Sequence, residues 1–321
     1  MRVIRGIFAP VPPLERPVAT LGAFDGVHRG HQAIIATVVG WAREVGGQAV
    51  VVTFEPLPKA ALGVGEAPCL TSLSHRLMLI ERLGIDLAVV LEFDRQLAEM
   101  PARKFVEDIL IGWLGAMRVV LGQGARFGRG AEGNAAMLRQ MAQEGTLEVR
   151  TPPPVLHRGR VISSTAIREA VARGDLREAA AMLGRPFSLF GTVVRGAERG
   201  RSLGFPTANL DLHNEAIPPD GVYATVTALG SAALPALTYI GRRPTFEGAQ
   251  GRRMVEVHIL DHAGDLYGHD LEVRFIKKLR DELRFPTPDA LVEQMRADRQ
   301  AALEAIDRKR GWGHRHLRAP G

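Results

Sequence analysis

A chain of 321 residues is longer than one hydrophobic core usually organises, so two domains are expected; 46% hydrophobic and 24% charged residues exclude a disordered chain away from its ends. The single Cys69 excludes an intrachain disulfide and a cysteine-ligated zinc site, which suits a reducing cytoplasm. The net charge of +6 is no general nucleic-acid signal, because Arg308, Lys309, Arg310, Arg315 and Arg318 follow the last acidic residue and leave the rest close to neutral.

At the N-terminus Pro10, Pro12 and Pro13 stand where a signal peptide needs an unbroken apolar run, and no later stretch approaches the ~20 apolar residues of a membrane span. Neither secretion nor a membrane partner is expected. From Val18 to about Gly174, short apolar or β-branched runs alternate with amphipathic stretches. Strands are predicted at 18–22, 49–54, 86–93, 119–122 and 147–149, with helices at 32–45, 74–83, 102–114 and 135–144. This order predicts a Rossmann-like, doubly wound parallel sheet that binds ligands at the carboxyl ends of its strands. Past Gly184-Arg185-Pro186 the helical period disappears, and predicted strands at 187–194, 221–228, 236–240, 254–260 and 271–275 read as a small antiparallel β-barrel. A helix from Pro288 to about Ile306, apolar at Leu291, Val292, Met295, Ala302, Leu303 and Ile306, is expected to close it. The expected domains are 1–184 and 185–306, followed by a basic tail at 307–321 that is expected to be disordered. Such a tail reads as a solvated end before it reads as a polyanion-binding arm.

Three stretches carry chemistry. Gly22 to His31 reads GAFDGVHRGH between the first strand and first helix, where two imidazoles three residues apart can face a phosphate held at a helix N-terminus. Gly26 and Gly30 let the backbone approach a nucleotide closely; a surface turn with two ordinary histidines is the alternative. Ser163, Ser164, Thr165 and Arg168 open a helix ending near Gly174, as plain caps or as a triphosphate clamp. Gly196 to Asn209 reads GAERGRSLGFPTAN, whose glycines and arginines suit phosphates; on composition alone a mobile basic hairpin fits as well. Its spacing is not that of a P-loop.

GAFDGVHRGH, TFEPLP (Thr53 to Pro58), ISSTAIR (Ile162 to Arg168) and PTAN (Pro206 to Asn209) together resemble the prokaryotic bifunctional riboflavin kinase/FMN adenylyltransferase family, also called FAD synthetase, from about Val18 to Ala305. The resemblance implies an FMN adenylyltransferase-like N-terminal domain and a C-terminal riboflavin kinase, with ATP, riboflavin and FMN as partners and Mg²⁺ accompanying ATP. His28 and His31 would serve adenylyl transfer, with Gly22, Phe24, Asp25, Gly26, Gly30, Ser163, Ser164, Thr165 and Arg168 around the nucleotide. In the kinase, Gly196, Arg199, Gly200, Arg201, Gly204 and Pro206 would surround phosphates, and Thr207 and Asn209 would hold Mg²⁺. Glu256 would be the catalytic base. Arg280, Phe127 and Tyr223 are assigned to the flavin. A monomer or weak homo-oligomer is expected, with no nucleic-acid partner.

The chain departs from the family pattern at named positions. Leu57 replaces the histidine of FxPHP, Gly124 and Ala125 replace a polar residue and an aromatic, and Val161 stands where an arginine is usual, with Arg160 displaced by one. Each lost polar contact costs on the order of 1 to 3 kcal/mol, so FAD formation is expected to be weakened. Tyr239 and Arg242 stand where asparagine and threonine are common. Three alternatives remain: a riboflavin kinase with a degenerate first domain, a nucleotidyltransferase for another substrate, and a non-enzymatic flavin- or nucleotide-binding regulator whose tail binds nucleic acid.

Overall fold

The structure is a computed structural model that describes residues 1–61, 63, 68–195, 205–212, 216–229, 232–242, 253–262 and 264–310. It divides into two compact units, one of Met1–Pro68 with Leu73–Ser164, the other of Cys69–Ser72 with the chain from Thr165 onward.

In the first unit, β1 (Arg2–Arg5), β2 (Val18–Leu21), β3 (Ala49–Glu55), β4 (Leu87–Glu92), β5 (Arg118–Val120) and β6 (Glu148–Arg150) form one parallel sheet in the order β1-β4-β3-β2-β5-β6. The expected strands and helices are present with ends displaced by a few residues. Sequence analysis placed no element at β1, which adds an edge to β4. The single helix expected at 102–114 is a short α-helix, Ala102–Lys104, running into a π-helix, Phe105–Trp113. Ala49 to Phe54 are all buried, as a parallel strand covered on both faces requires. Ile35, Val38 and Ala42 of helix Arg29–Glu44 cover one face of the sheet, and Phe105, Ile109 and Leu110 cover the other. From β2 the chain steps through β3 and β4 on one side, then returns to β5 and β6 on the other. The carboxyl end of β2 is therefore the topological switch point, and the GAFDGVHRGH stretch begins there. A two-stranded hairpin, β7 (Leu156–His157) and β8 (Arg160–Val161), follows.

In the second unit, helix Leu176–Leu183 starts on Asp175, whose side chain accepts the Glu178 N–H at 3.0 Å, and stops at Gly184 in the left-handed region, φ 73°. Strands β9 (Ser188–Val194), β10 (Ala208–Leu212), β11 (Gly221–Leu229), β12 (Ala232–Arg242), β13 (Arg253–Ile259) and β14 (Asp270–Arg280) close an antiparallel barrel in the order β10-β13-β12-β11-β14-β9. Sequence analysis missed β10 and ended β14 five residues early. Residues alternate between two faces. Tyr223, Thr225, Thr238 and Phe275 face the interior, where the Thr225 and Thr238 hydroxyls meet at 2.8 Å. Val222, Ala224 and Leu237 face outward and pack under Ala302 of helix Pro288–Arg310. Along the outer face the register sets Asn209 opposite Glu256, Glu256 opposite Tyr239, Tyr239 opposite Val222, and Val222 opposite Arg280. Strands lie about 4.8 Å apart, so these five residues form one continuous row across five strands.

Candidate functional site

The first constellation is built on strained backbone. Within the loop after β2, Phe24, Gly26 and Val27 all have left-handed φ, 50°, 78° and 40°, and Phe24 and Val27 are almost fully buried. A β-branched residue in that region costs free energy that the surroundings must supply, and such strain concentrates at functional sites. The loop is held from several directions. The Gly22 N–H donates to the Val52 carbonyl at 3.1 Å, and Ser164 Oγ donates to the carbonyl of buried Asp25 at 3.0 Å. The fully buried Arg76 guanidinium donates to the Ala23 carbonyl (2.9 Å), the Phe54 carbonyl (2.9 Å) and Glu55 Oε2 (3.0 Å).

His28 caps the helix, its Nδ1 accepting the His31 N–H at 3.3 Å, so the neutral ring carries its proton on Nε2. The His28 and His31 rings stack at 3.6 Å between centroids, and Phe24 meets His31 edge-on at 5.2 Å. A Cβ on Gly30 would lie 3.1 Å from the His28 ring, which is why glycine suits the first turn there. His31 Nδ1 is buried without a hydrogen-bond partner. Burial first, then neighbouring His28 and Arg76, hold His31 well below its ordinary value of 6.5. The unfolded chain therefore takes up this proton first as pH falls through about 6.5, and the folded state loses stability progressively below that point. His31→Gln is expected to remove this acid-side loss, read as a flatter plot of melting temperature against pH. Ser163 and Ser164 stand at the helix start, while Thr165 and Arg168 lie on the part of that helix that divides with the second unit. Phe127 does not face an opening: it is buried against Phe105 in the sheet's core.

In the second unit a cavity of about 400 Å³ opens beside Pro206 and Thr207, with apolar walls from Val193, Val257, Ile259 and Leu266 and the ring of Tyr267. Arg195 stacks over Tyr267 at 5.5 Å. His262, also lining the cavity, has a buried Nε2 without a hydrogen-bond partner. Thr207 precedes β10 directly, and Asn209 begins the outer row opposite Glu256. His258 Nδ1 donates to the Pro206 carbonyl at 2.7 Å, and its ring meets Phe205 edge-on, so β13 itself fixes the Pro206–Thr207 segment. Among the described residues no group of three or more His, Cys, Asp and Glu side chains could hold a metal ion. Thr207 and Asn209 instead carry a hydroxyl and an amide oxygen, the hard donors that Mg²⁺ takes together with phosphate oxygens.

The remaining expected residues separate. Arg280 ends the outer row, but its guanidinium is tied to Asp298 of the C-terminal helix, at 2.7 Å from Nη2 to Oδ2 and 3.0 Å from Nε to each oxygen. Tyr223 falls on the interior side, fully buried, donating to the Pro219 carbonyl at 2.5 Å. The structure thus makes it a core residue, because the alternation of β11 turns its side chain away from the row. Gly196, Arg199, Gly200, Arg201 and Gly204 lie outside the described residues, as do Arg243 to Phe246 and the tail from residue 311.

Comparisons with known proteins match both units. A riboflavin kinase family model matches residues 183–306, and an FAD synthetase family model matches residues 12–166. The bifunctional riboflavin kinase/FMN adenylyltransferase of Escherichia coli is 39% identical over 307 residues, covering 95% of this chain and 97% of that protein. The chain belongs to the bifunctional riboflavin kinase/FMN adenylyltransferase family. The family member of Pseudomonas fluorescens is 37% identical over 302 residues, covering 94% of this chain and 97% of its own. A solved structure from Streptococcus pneumoniae, described as a macrolide-efflux protein, superposes with a TM-score of 0.81 at 31% identity, covering 94% of this chain and 99% of that one. No helix among the described residues is long and apolar enough to cross a membrane.

The departures from the family pattern fall at unequal places. Gly124 faces open space, with nothing within 4 Å of where a Cβ would stand, while Ala125 packs against the sheet's core. Leu57 precedes a short helix, Pro58–Ala61, and Val161 on β8 is 57% exposed. Sequence reasoning missed Arg76, whose signal was an arginine amid the apolar positions Leu73, Leu77 and Ile80 of one helix. It also missed Arg195, His262 and the anchoring role of His258.

Proposed function

We propose that the chain carries out two successive ATP-dependent transfers, phosphorylating riboflavin to FMN on the barrel and adenylylating FMN to FAD at the loop after β2. The carrying observation is the direct opposition of Asn209 and Glu256 in the β10/β13 ladder, two residues beyond Thr207 at the cavity. In this reading the cavity takes the nucleotide base. Apolar walls and Tyr267 sandwich it, and His262 Nε2 finds the partner it lacks. Thr207 and Asn209 receive the triphosphate with its Mg²⁺, which would neutralise charge on the phosphate oxygens. Glu256 takes the proton from the 5′-hydroxyl of the ribityl chain as that oxygen attacks the γ-phosphorus, and ADP leaves.

For the second transfer, a phosphate oxygen of FMN attacks the α-phosphorus of ATP and pyrophosphate leaves. The helix N-terminus and the paired imidazoles His28 and His31 bear the developing charge, with Ser163, Ser164, Thr165 and Arg168 assigned to the nucleotide. Arg280 serves the flavin indirectly here, by fixing the end of β14 to the helix. The open space beside Gly124 and the missing histidine at Leu57 support a slower second transfer than first. The single Cys69 supports a cytoplasmic enzyme, and we take it to be a monomer or weak homo-oligomer without a nucleic-acid partner. Chromatography of products over time from riboflavin, ATP and Mg²⁺ tests the whole reading: FMN should appear first and FAD more slowly. Absence of FMN would end it.

His258 gives a narrower test. His258→Ala releases the Pro206 carbonyl from its donor, and a lost hydrogen bond of about 1 kcal/mol corresponds to roughly a fivefold change. The KM for Mg·ATP is expected to rise by about that factor, with the KM for riboflavin unchanged, in steady-state assays of FMN formation.

A further inference from the structure

Tyr239 sits in the middle of the outer row, with Glu256 opposite it on one side and Val222 on the other. Its ring folds along β12 over Gly241. A Cβ at 241 would stand 2.0 Å from the phenol oxygen, so the absence of a side chain there makes the seat for the ring. The phenol hydroxyl donates to Glu282 Oε1 at 2.6 Å, in the exposed segment that follows β14. Burial first, then the bond to Glu282 and the nearby charges of Glu282 and Glu256, push the phenol well above its ordinary value. It therefore stays a neutral donor at physiological pH, within electrostatic reach of Glu256. Tyr239 also packs against the apolar patch under the C-terminal helix.

We propose that Tyr239 is the positioning residue for the acceptor alcohol: its ring forms the wall beside Glu256, and its hydroxyl, through Glu282, holds the segment after β14 against the outer row. The inference rests on the kinase reading above. A flat, neutral, half-buried ring suits an acceptor with an aromatic body and a polar chain, since it offers apolar contact without adding charge beside the base. The latch to Glu282 supplies what an exposed segment lacks by itself, a fixed place over that acceptor, so the acceptor meets a preformed wall instead of ordering one on arrival. Donor binding is placed at Thr207, Asn209 and the cavity, beyond Glu256 from Tyr239, and should not register the change.

The test is steady-state kinetics of FMN formation, varying riboflavin and Mg·ATP separately. Tyr239→Phe keeps the ring and removes the latch, and Glu282→Ala removes it from the other end. Each is expected to raise the KM for riboflavin about three- to tenfold and leave the KM for Mg·ATP unchanged. The double variant should be no worse than either single one, because the two changes break the same contact. Glu282→Gln, whose amide oxygen still accepts, should stay near wild type. Gly241→Ala, which fills the seat of the ring, should match or exceed Tyr239→Phe. Unchanged riboflavin KM in Tyr239→Phe and Glu282→Ala would overturn the proposal. So would equal increases in both KM values, or effects that multiply in the double variant. Failure of the underlying reading looks different, since the wild-type protein would then make no FMN at all.

Discussion

Glu256→Gln is expected to lower kcat for FMN formation by two to four orders of magnitude, the usual contribution of a positioned base. The substitution is nearly isosteric, and position 256 is half-buried on the outer face of β13, so no cavity opens and no core contact is lost. What disappears is the ability to accept the hydroxyl proton during attack. The KM for Mg·ATP should move little, because Glu256 is assigned to the acceptor hydroxyl while Thr207, Asn209 and the cavity receive the nucleotide. Turnover measured at saturating riboflavin, beside a thermal melt that matches wild type, checks both halves of the expectation. Near wild-type turnover would remove Glu256 from the reaction.

His31→Ala should divide the two activities. FAD formation from FMN is expected to fall about 10²- to 10³-fold, the cost of removing one donor aimed at developing charge, while FMN formation from riboflavin is unchanged. The division follows from the fold, since His31 belongs to the parallel-sheet unit and the kinase row to the barrel unit. His28 remains as the cap but loses the ring stacked on it at 3.6 Å. Running both assays on one preparation guards against a general loss of folding: parallel losses in the two rates would count against this assignment.

The pattern of apolar residues was enough to find most of the architecture. Val50, Val51 and Val52 sit in a run long enough for a buried parallel strand, and the turn from that sheet to a barrel is written in the loss of helical period after Pro186. Strand β10 escaped because it is only five residues long, its first residues belong to the PTAN loop motif, and one of its partners, β13, lies far from it along the chain. The site was legible as motifs but not as geometry. Asn209 and Glu256 were each recognisable, yet only the register of the ladder sets them opposite each other, with Tyr239 next in line. Tyr223 was misplaced for a related reason. Strand β11 is buried on both faces, since the helix covers what would otherwise be its solvent side, so no polar alternation marks which face Tyr223 takes. Arg76 was hidden because its role lies in main-chain carbonyls of Ala23 and Phe54, which no side-chain pattern reveals.

The pairing of Asn209 with Glu256 has a consequence for the proposed kinase site. Two strands hydrogen-bonded in register hold the amide and the carboxylate at a fixed spacing, so a one-residue slip of β10 would turn Asn209 to the opposite face and part the two groups. Alignment of donor and acceptor is thereby built into the barrel's ladder instead of being left to a loop.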